Sequence, residues 1–300
     1  MPELPEVETI KNDLKQKILN KKIKKVDLRL KKIVKSSKKE FVLVLEKSKF
    51  KNIERRGKLL IFSVETRQCL VPTTKYLLIH LRMTGQLIYQ KNQEIIAGGH
   101  SEGGRDEAMP RLYDDLPNKH THFVFYFSDK SQLFFNDLRR FGVVKIVNEK
   151  ELENVLNSFG EEPLEKSFSL KVFQDIIKNK KGNIKAFLLN QKYIAGIGNI
   201  YADEILFEAK VLPSRKIDSL KVVEIKNIYQ AIKKILKKAI KYRGTTFNNY
   251  IDANGKRGNF TKFLKVYKRE KKKCLRCKKG VIIKTKIAGR GTRYCDGCQK

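Results

Sequence analysis

Acidic residues are scarce in this chain. It has 32 Asp and Glu against 66 Lys and Arg, a formal net charge of +34 over 300 residues. Such an imbalance points to a polyanionic partner, with nucleic acid ahead of an acidic membrane surface. Part of the excess also reflects heavy use of lysine, isoleucine and asparagine throughout, as in proteins of A/T-rich genomes. Long apolar runs are missing, so no segment is expected to span a membrane. The first charges are not followed by the apolar stretch of a secretory signal, and a cytoplasmic location is expected. Cysteine is sparse and odd in number. Five would leave one over if they paired, and four of them lie in the last 27 residues, which favours a metal over disulfides. At 41% hydrophobic the chain is globular, long enough for two or three domains, and without internal repeats.

The N-terminal stretch is expected to be helical, with Pro5 in the first turn and Val7, Ile10, Leu14 and Ile18 on one apolar face. From about residue 22 to 147 the pattern changes to short β-branched and aromatic runs: KVDLRL, EFVLVLE, LLIFSVE, YLLIHLRM, QLIYQ, HFVFYFS, QLFFND and GVVKIV. Eight such runs separated by turn residues predict a β-sandwich or barrel. Residues 91–118, with a Gly-rich and acidic insertion at about 92–117, read as one long loop. Helical spacing then recurs over 169–179, 183–191, 200–209 and 218–242, and 243–264 reads as a polar loop. The fold class is therefore α+β. Its expected divisions are an N-terminal helix plus a β-rich sandwich or barrel (1–148), a helical domain (149–268) and a small cysteine-bearing tail (269–300).

In the tail, Cys274 and Cys277 are followed after 17 residues by Cys295 and Cys298, the C-x2-C spacing of a closed zinc site. Four thiolates leave no open position, so one structural Zn2+ is expected, holding a hairpin that turns at Gly289, Arg290 and Gly291. Cys69 stands alone and reads as a small buried apolar residue.

The start of the chain, PELPEVE, carries a different chemistry. Removal of Met1 is expected to expose the amine of Pro2, and an α-amine is far less protonated at neutral pH than a lysine. As a secondary amine, attacking a sugar C1′, it would give an iminium that is cationic without a further proton. Glu3 beside it would move protons. The same residues would also serve an ordinary helix start, with Glu6 and Glu8 favouring the dipole of the first turn.

Six motifs occur in order: MPELPEVE, RRGK at 55–58, HLRMTG at 80–85, DLRRFG at 137–142, AGIGNIYADE at 195–204 and the four-cysteine tail. Together they resemble the bacterial formamidopyrimidine-DNA glycosylases over nearly the whole chain. That resemblance implies a β-sandwich, a helix–two-turn–helix domain and a zinc finger acting on damaged double-stranded DNA. It implies a monomer, cytoplasmic and nucleoid-associated, that removes oxidised purines (8-oxoguanine and formamidopyrimidines) and then nicks the strand by β,δ-elimination. It also implies roles. Pro2 would be the Schiff-base nucleophile and Glu3 the general acid/base. Lys58 would transfer protons and contact phosphate, and Arg290 would grip phosphate during the second elimination. Met83, Arg139 and Phe141 would fill the gap left by an everted nucleotide, because reaching C1′ requires taking the base out of the stack. His120, Lys180, Lys185 and Asn199 would contact DNA, with Gly196 and Gly198 letting backbone approach a phosphate.

Two departures from the family pattern stand out. Thr121 lies between His120 and His122 where an acid is usual, and the 92–117 insertion is longer than usual. The nearest rival is an endonuclease VIII-type glycosylase for oxidised pyrimidines, which usually has Gly in place of Leu4 and lacks the Arg139–Phe141 signature. A non-enzymatic zinc-ribbon nucleic-acid binder would account for the charge and the cysteines but not for PELPEVE.

Overall fold

A computed structural model describes residues 1–66, 74–99, 115–245 and 259–300. The described residues fall into two compact units, Met1–Asn157 with Arg243–Asn259, and Ser158–Tyr242 with Phe260–Lys300.

The first unit opens with α1 (Leu4–Ile18), whose Leu4, Val7, Ile10, Leu14 and Ile18 are all buried, as their spacing of 3 and 4 requires. Among the described residues nine strands follow: β1 (Ile23–Leu28), β2 (Lys49–Arg56), β3 (Leu59–Glu65), β4 (Thr74–His80), β5 (Gly85–Lys91), β6 (Glu94–Gly99), β7 (Thr121–Phe127), β8 (Gln132–Asp137) and β9 (Val143–Val147). They form a five-stranded sheet, β1-β7-β8-β5-β6, and a four-stranded sheet, β2-β3-β4-β9, antiparallel throughout. One apolar core unites the inner faces, with Phe50, Phe62 and Leu77 from one sheet and Phe123, Phe125 and Phe135 from the other. Phe123 stacks on Phe135 with centroids 5.2 Å apart. Each such ring contributes about 2–3 kcal/mol by leaving water.

Two local expectations are corrected and one strand is added. EFVLVLE is not a strand but part of helix α2 (Lys38–Leu45), because Ser37 caps it by accepting the Glu40 N–H at 3.1 Å and the i, i+4 pair Phe41 and Leu45 is buried. β2 was hidden by its charges, since only Phe50 and Ile53 of KFKNIERR are buried on this edge strand. Glu94–Gly99, expected within a long loop, pairs with β5 as β6. Residues 100–114 of the insertion, and Cys69, lie outside the described residues. Helix α3 (Glu149–Asn157) closes this part of the chain.

The second unit contains α4 (Leu170–Ile177), α5 (Ile184–Leu189), α6 (Asn199–Ala209) and α7 (Val222–Lys241), then the hairpin β10 (Ile282–Ile287) and β11 (Arg290–Cys295). Helix α7 buries Ile228, Ala231, Ile232, Leu236 and Ala239 along one stripe. The cysteine-bearing tail shares a core with α6, in which Phe207 meets Val266, Cys274, Ile282 and Cys295. Arg276 reinforces the join: its guanidinium lies 4.0 Å from the Phe207 ring centroid and donates to the Phe207 carbonyl at 2.7 Å. No helix among the described residues is long and apolar enough to cross a membrane.

Candidate active site and nucleic-acid interface

In the first unit, Glu3 is the N-cap of α1 and lies buried with Pro2. Its backbone N–H donates to Glu6 Oε2 at 2.9 Å. The other oxygen of Glu6 accepts the Thr245 N–H at 2.7 Å and the Thr245 hydroxyl at 3.0 Å. Glu6 therefore ties the head of α1 to Arg243–Thr245. Gly244 makes this approach possible, since its φ is +77° and a Cβ there would lie 2.5 Å from Glu6 Oε1. An ion pair between Arg243 and Asp13, 2.6 Å, holds the same segment one step earlier.

Lys58 is 6% exposed and follows Gly57 (φ +57°) in the β2–β3 turn. Arg55 braces that turn by donating to the Gly57 carbonyl at 2.8 Å and to Glu8 Oε2 at 2.9 Å. Burial pushes the Glu8 carboxyl up, but its bonds to Lys11 and Arg55 outweigh this and hold it below the usual range.

His80, at the end of β4, was not singled out from the sequence. Burial first, and then the charges of Arg82 and Lys58, depress its imidazole to about 3. The ring is therefore neutral near pH 7. Its Nδ1 accepts the Arg82 N–H at 3.0 Å, which leaves Nε2 as the protonated, donating nitrogen. A histidine inside the largely apolar run YLLIHLRM was the available signal.

Met83 and Phe141 are 37% and 51% exposed, and the Arg139 guanidinium lies 4.9 Å from the Phe141 ring centroid. His120 is half-buried, and desolvation together with Lys119 and Arg140 lowers its pKa. The neighbouring Thr121 is buried, and its hydroxyl accepts the Asn118 N–H at 2.9 Å. A local turn thus uses the group that replaces the usual acid.

In the second unit, Asn199 is the first residue of α6, behind Gly196 (φ +88°) and the N-cap Gly198. Gln191, another residue not anticipated, shapes this loop: its amide donates to the Leu189 and Ile197 carbonyls, each at 2.9 Å, and accepts the Gly196 N–H at 2.8 Å. Asn199 Nδ2 donates to the Gly291 carbonyl at 2.9 Å. Lys180 is half-buried, its ammonium 4.9 Å from the Tyr193 ring centroid.

Lys185 departs from its expected role as a DNA contact. It is fully buried, and its ammonium donates to Asp203 at 2.6 Å, Thr292 Oγ1 at 2.8 Å and the Gly291 carbonyl at 3.3 Å. A cation so enclosed cannot reach a phosphate without leaving three acceptors. Asp203 also accepts the Arg293 N–H at 3.0 Å. Burial pushes its carboxyl up to about 6, against the pull of Lys185. Arg290 is exposed. The hairpin turns at Ala288 and Gly289, φ +48° and +73°, one residue earlier than expected, and Arg290 opens β11 opposite Ile287.

The thiols of Cys274, Cys277, Cys295 and Cys298 lie within 4.8 Å of one another. Two of the S–S separations are 3.7 and 3.8 Å, for Cys277–Cys295 and Cys274–Cys298. A tetrahedron with metal–sulfur bonds of about 2.3 Å has edges of about 3.8 Å. The Arg276 and Gly280 N–H groups donate to Cys274 and Cys277 sulfurs at 3.3 Å, as is usual around thiolates that hold a metal. Four such donors could hold a metal ion.

Comparison with known proteins agrees with this picture. Residues 1–144 match the formamidopyrimidine-DNA glycosylase N-terminal domain, and residues 159–250 match the formamidopyrimidine-DNA glycosylase H2TH domain. The formamidopyrimidine-DNA glycosylase of Carboxydothermus hydrogenoformans is 40% identical over 301 residues, covering all of both chains. That of Pelotomaculum thermopropionicum is 38% identical over 303 residues, covering all of this chain and 99% of its own. Among solved structures, a variant of the Lactococcus lactis enzyme in complex with Fapy-dG-containing DNA superposes with a TM-score of 0.82 at 30% identity, with full coverage of both chains. The wild-type L. lactis enzyme with DNA containing an oxidised pyrimidine gives 0.81, also at 30% identity and full coverage. Sandwich, helical unit and four-cysteine hairpin are those of a DNA-repair enzyme. The chain belongs to the formamidopyrimidine-DNA glycosylase family.

Proposed function

We propose that this enzyme excises oxidised purines, chiefly 8-oxoguanine and formamidopyrimidines, from duplex DNA and then cleaves the strand by β,δ-elimination. The observation that carries the reading is the head of α1, where Pro2 and Glu3 are buried side by side on a backbone fixed by Glu6. With Met1 removed, the Pro2 nitrogen attacks C1′ of the everted nucleotide. The N–C1′ bond forms, the glycosidic bond breaks, and the base leaves with a proton. Glu3 manages protons at the sugar ring as it opens to the iminium. That cation is the electron sink: loss of a C2′ proton expels the 3′-phosphate, and a second elimination expels the 5′-phosphate. Lys58 assists the first proton transfers, and Arg290, whose fork holds two phosphate oxygens, assists the second elimination.

Met83, Arg139 and Phe141 fill the vacated space, with Arg139 hydrogen-bonding the orphaned base. Lys180, His120 and Asn199 hold the backbone. The four cysteines hold one Zn2+, which supplies a rigid hairpin and no chemistry. The L. lactis complexes with Fapy-dG and with abasic-site DNA support the lesion class and the recognition of the abasic site on which the nicking step would act. The complex of that enzyme with an oxidised pyrimidine keeps the second reading in play, excision of oxidised pyrimidines. Excision of 8-oxoguanine compared with thymine glycol in otherwise identical duplexes decides between them. Preference for thymine glycol overturns the purine reading.

A further inference from the structure

The sequences RMTG at 82–85 and RRFG at 139–142 are alike, and the structure joins them through one buried carboxylate. Asp137, 1% exposed, ends β8. Its Oδ1 accepts the Thr84 hydroxyl at 2.5 Å, and its Oδ2 accepts the Gly142 N–H at 2.6 Å. The Arg139 N–H donates to Thr84 Oγ1 at 3.0 Å and to Asp137 Oδ1 at 3.2 Å. Thr84, 3% exposed, thus donates to one loop's carboxylate and accepts from the same loop's backbone, although 53 residues separate it from Asp137.

Both loops are strained and tightly seated. Arg82 and Arg140 adopt φ of +52° and +57°, a region that costs a residue bearing a Cβ about 1–2 kcal/mol and persists only where surrounding contacts offset it. Each loop ends on a closely packed glycine, with a backbone clash for a Cβ at Gly85 and a tight fit at Gly142. At Gly85 it would lie 2.5 Å from the Leu81 carbonyl oxygen, and at Gly142 3.0 Å from both Asp137 Oδ2 and the Phe135 ring. Between these fixed points stand the exposed Met83 and Phe141.

We infer that Thr84 and Asp137 are positioning residues that make the Met83 loop and the Arg139–Phe141 loop a single rigid wedge, so that the three side chains enter the duplex together. The inference rests on the proposed gap-filling role of Met83, Arg139 and Phe141. Held separately, each side chain would lose rotamer and loop freedom on entering the stack; held jointly, that ordering is complete before DNA arrives.

The test follows eversion with full-length enzyme and a duplex carrying a tetrahydrofuran abasic analogue next to 2-aminopurine, read by stopped-flow fluorescence. Rates are expressed per active site, titrated by borohydride trapping on abasic DNA, so that misfolded protein lowers the titre and not the rate. Thr84→Val removes the hydroxyl at nearly constant volume, and Thr84→Ser keeps it. Thr84→Val is expected to slow the fluorescence rise about tenfold, the effect of losing one hydrogen bond to a charged group, with Thr84→Ser close to the parent. If Met83→Ala slows eversion while Thr84→Val does not, the joint wedge is wrong and the gap-filling reading stands. If Met83→Ala itself has no effect, the gap-filling reading fails and takes this inference with it. Equal slowing by Thr84→Val and Thr84→Ser assigns the effect to packing and overturns it.

Discussion

Lys185 and Asp203 form an ion pair 2.6 Å long in which neither side chain is exposed to solvent. Helix α5 supplies the lysine and α6 the aspartate, and the same ammonium reaches Gly291 and Thr292 beside Arg290. The pair therefore joins two helices to the hairpin that carries the exposed arginine. Removing one partner of such a pair leaves an uncompensated buried charge, so Lys185→Ala is expected to cost about 3–5 kcal/mol in urea unfolding. Its DNA binding is expected to keep the parent's dependence on salt, because no phosphate contact is lost. A salt slope lower by about one unit would instead make Lys185 a direct phosphate ligand.

Arg290→Ala gives the complementary result. An exposed arginine whose role is phosphate contact leaves stability within about 0.5 kcal/mol when removed. The slope of log affinity against log salt is expected to fall by about 0.9. An unchanged slope removes Arg290 from the interface.

Metal removal tests how far the tail depends on its neighbours. Its cysteines share a core with Phe207 and Val266, and its end is tied to the helical unit by the Leu212 N–H to Lys300 carbonyl bond of 2.9 Å. Chelation is expected to release one zinc per chain and to lower the melting temperature of the helical unit along with DNA affinity. A helical unit that melts unchanged after zinc loss would show that the shared core contributes little.

The depressed imidazole of His80 gives a pH dependence with a definite sign. Its folded pKa of about 3 lies below the unfolded 6.5, so the native state binds fewer protons between those values. The stability it confers is complete above pH 6.5 and is lost as pH falls towards 3, by up to about 5 kcal/mol. The His80 ring resonances are expected to show no titration midpoint above pH 4. Lys58→Met is expected to move that midpoint up, since Lys58 is one of the charges that depress it.

Much of this was legible in the residues, and the failures have physical causes. The apolar faces of α1 and α7 were evident because burial there follows helical spacing, as in Val7, Ile10 and Leu14. EFVLVLE misled because β-branched residues favour strands, whereas the deciding features were the Ser37 cap and the Phe41–Leu45 pair. β2 was missed because an edge strand buries few residues and can carry charges elsewhere. Lys185 and Lys180 are indistinguishable in a basic run; only the partner Asp203, 18 positions away, makes one of them interior. Glu6 was legible as a first-turn acid, while its bond to Thr245 joins residues 239 positions apart and leaves no local trace.

The central claim is that the amine of Pro2 is the nucleophile. Borohydride trapping with a duplex containing one 8-oxoguanine, followed by peptide mapping of the cross-link, tests it most directly. The account predicts a covalent adduct on Pro2, absent when the amine is blocked, with binding preserved. An adduct on a lysine, or none while the duplex remains bound, contradicts it.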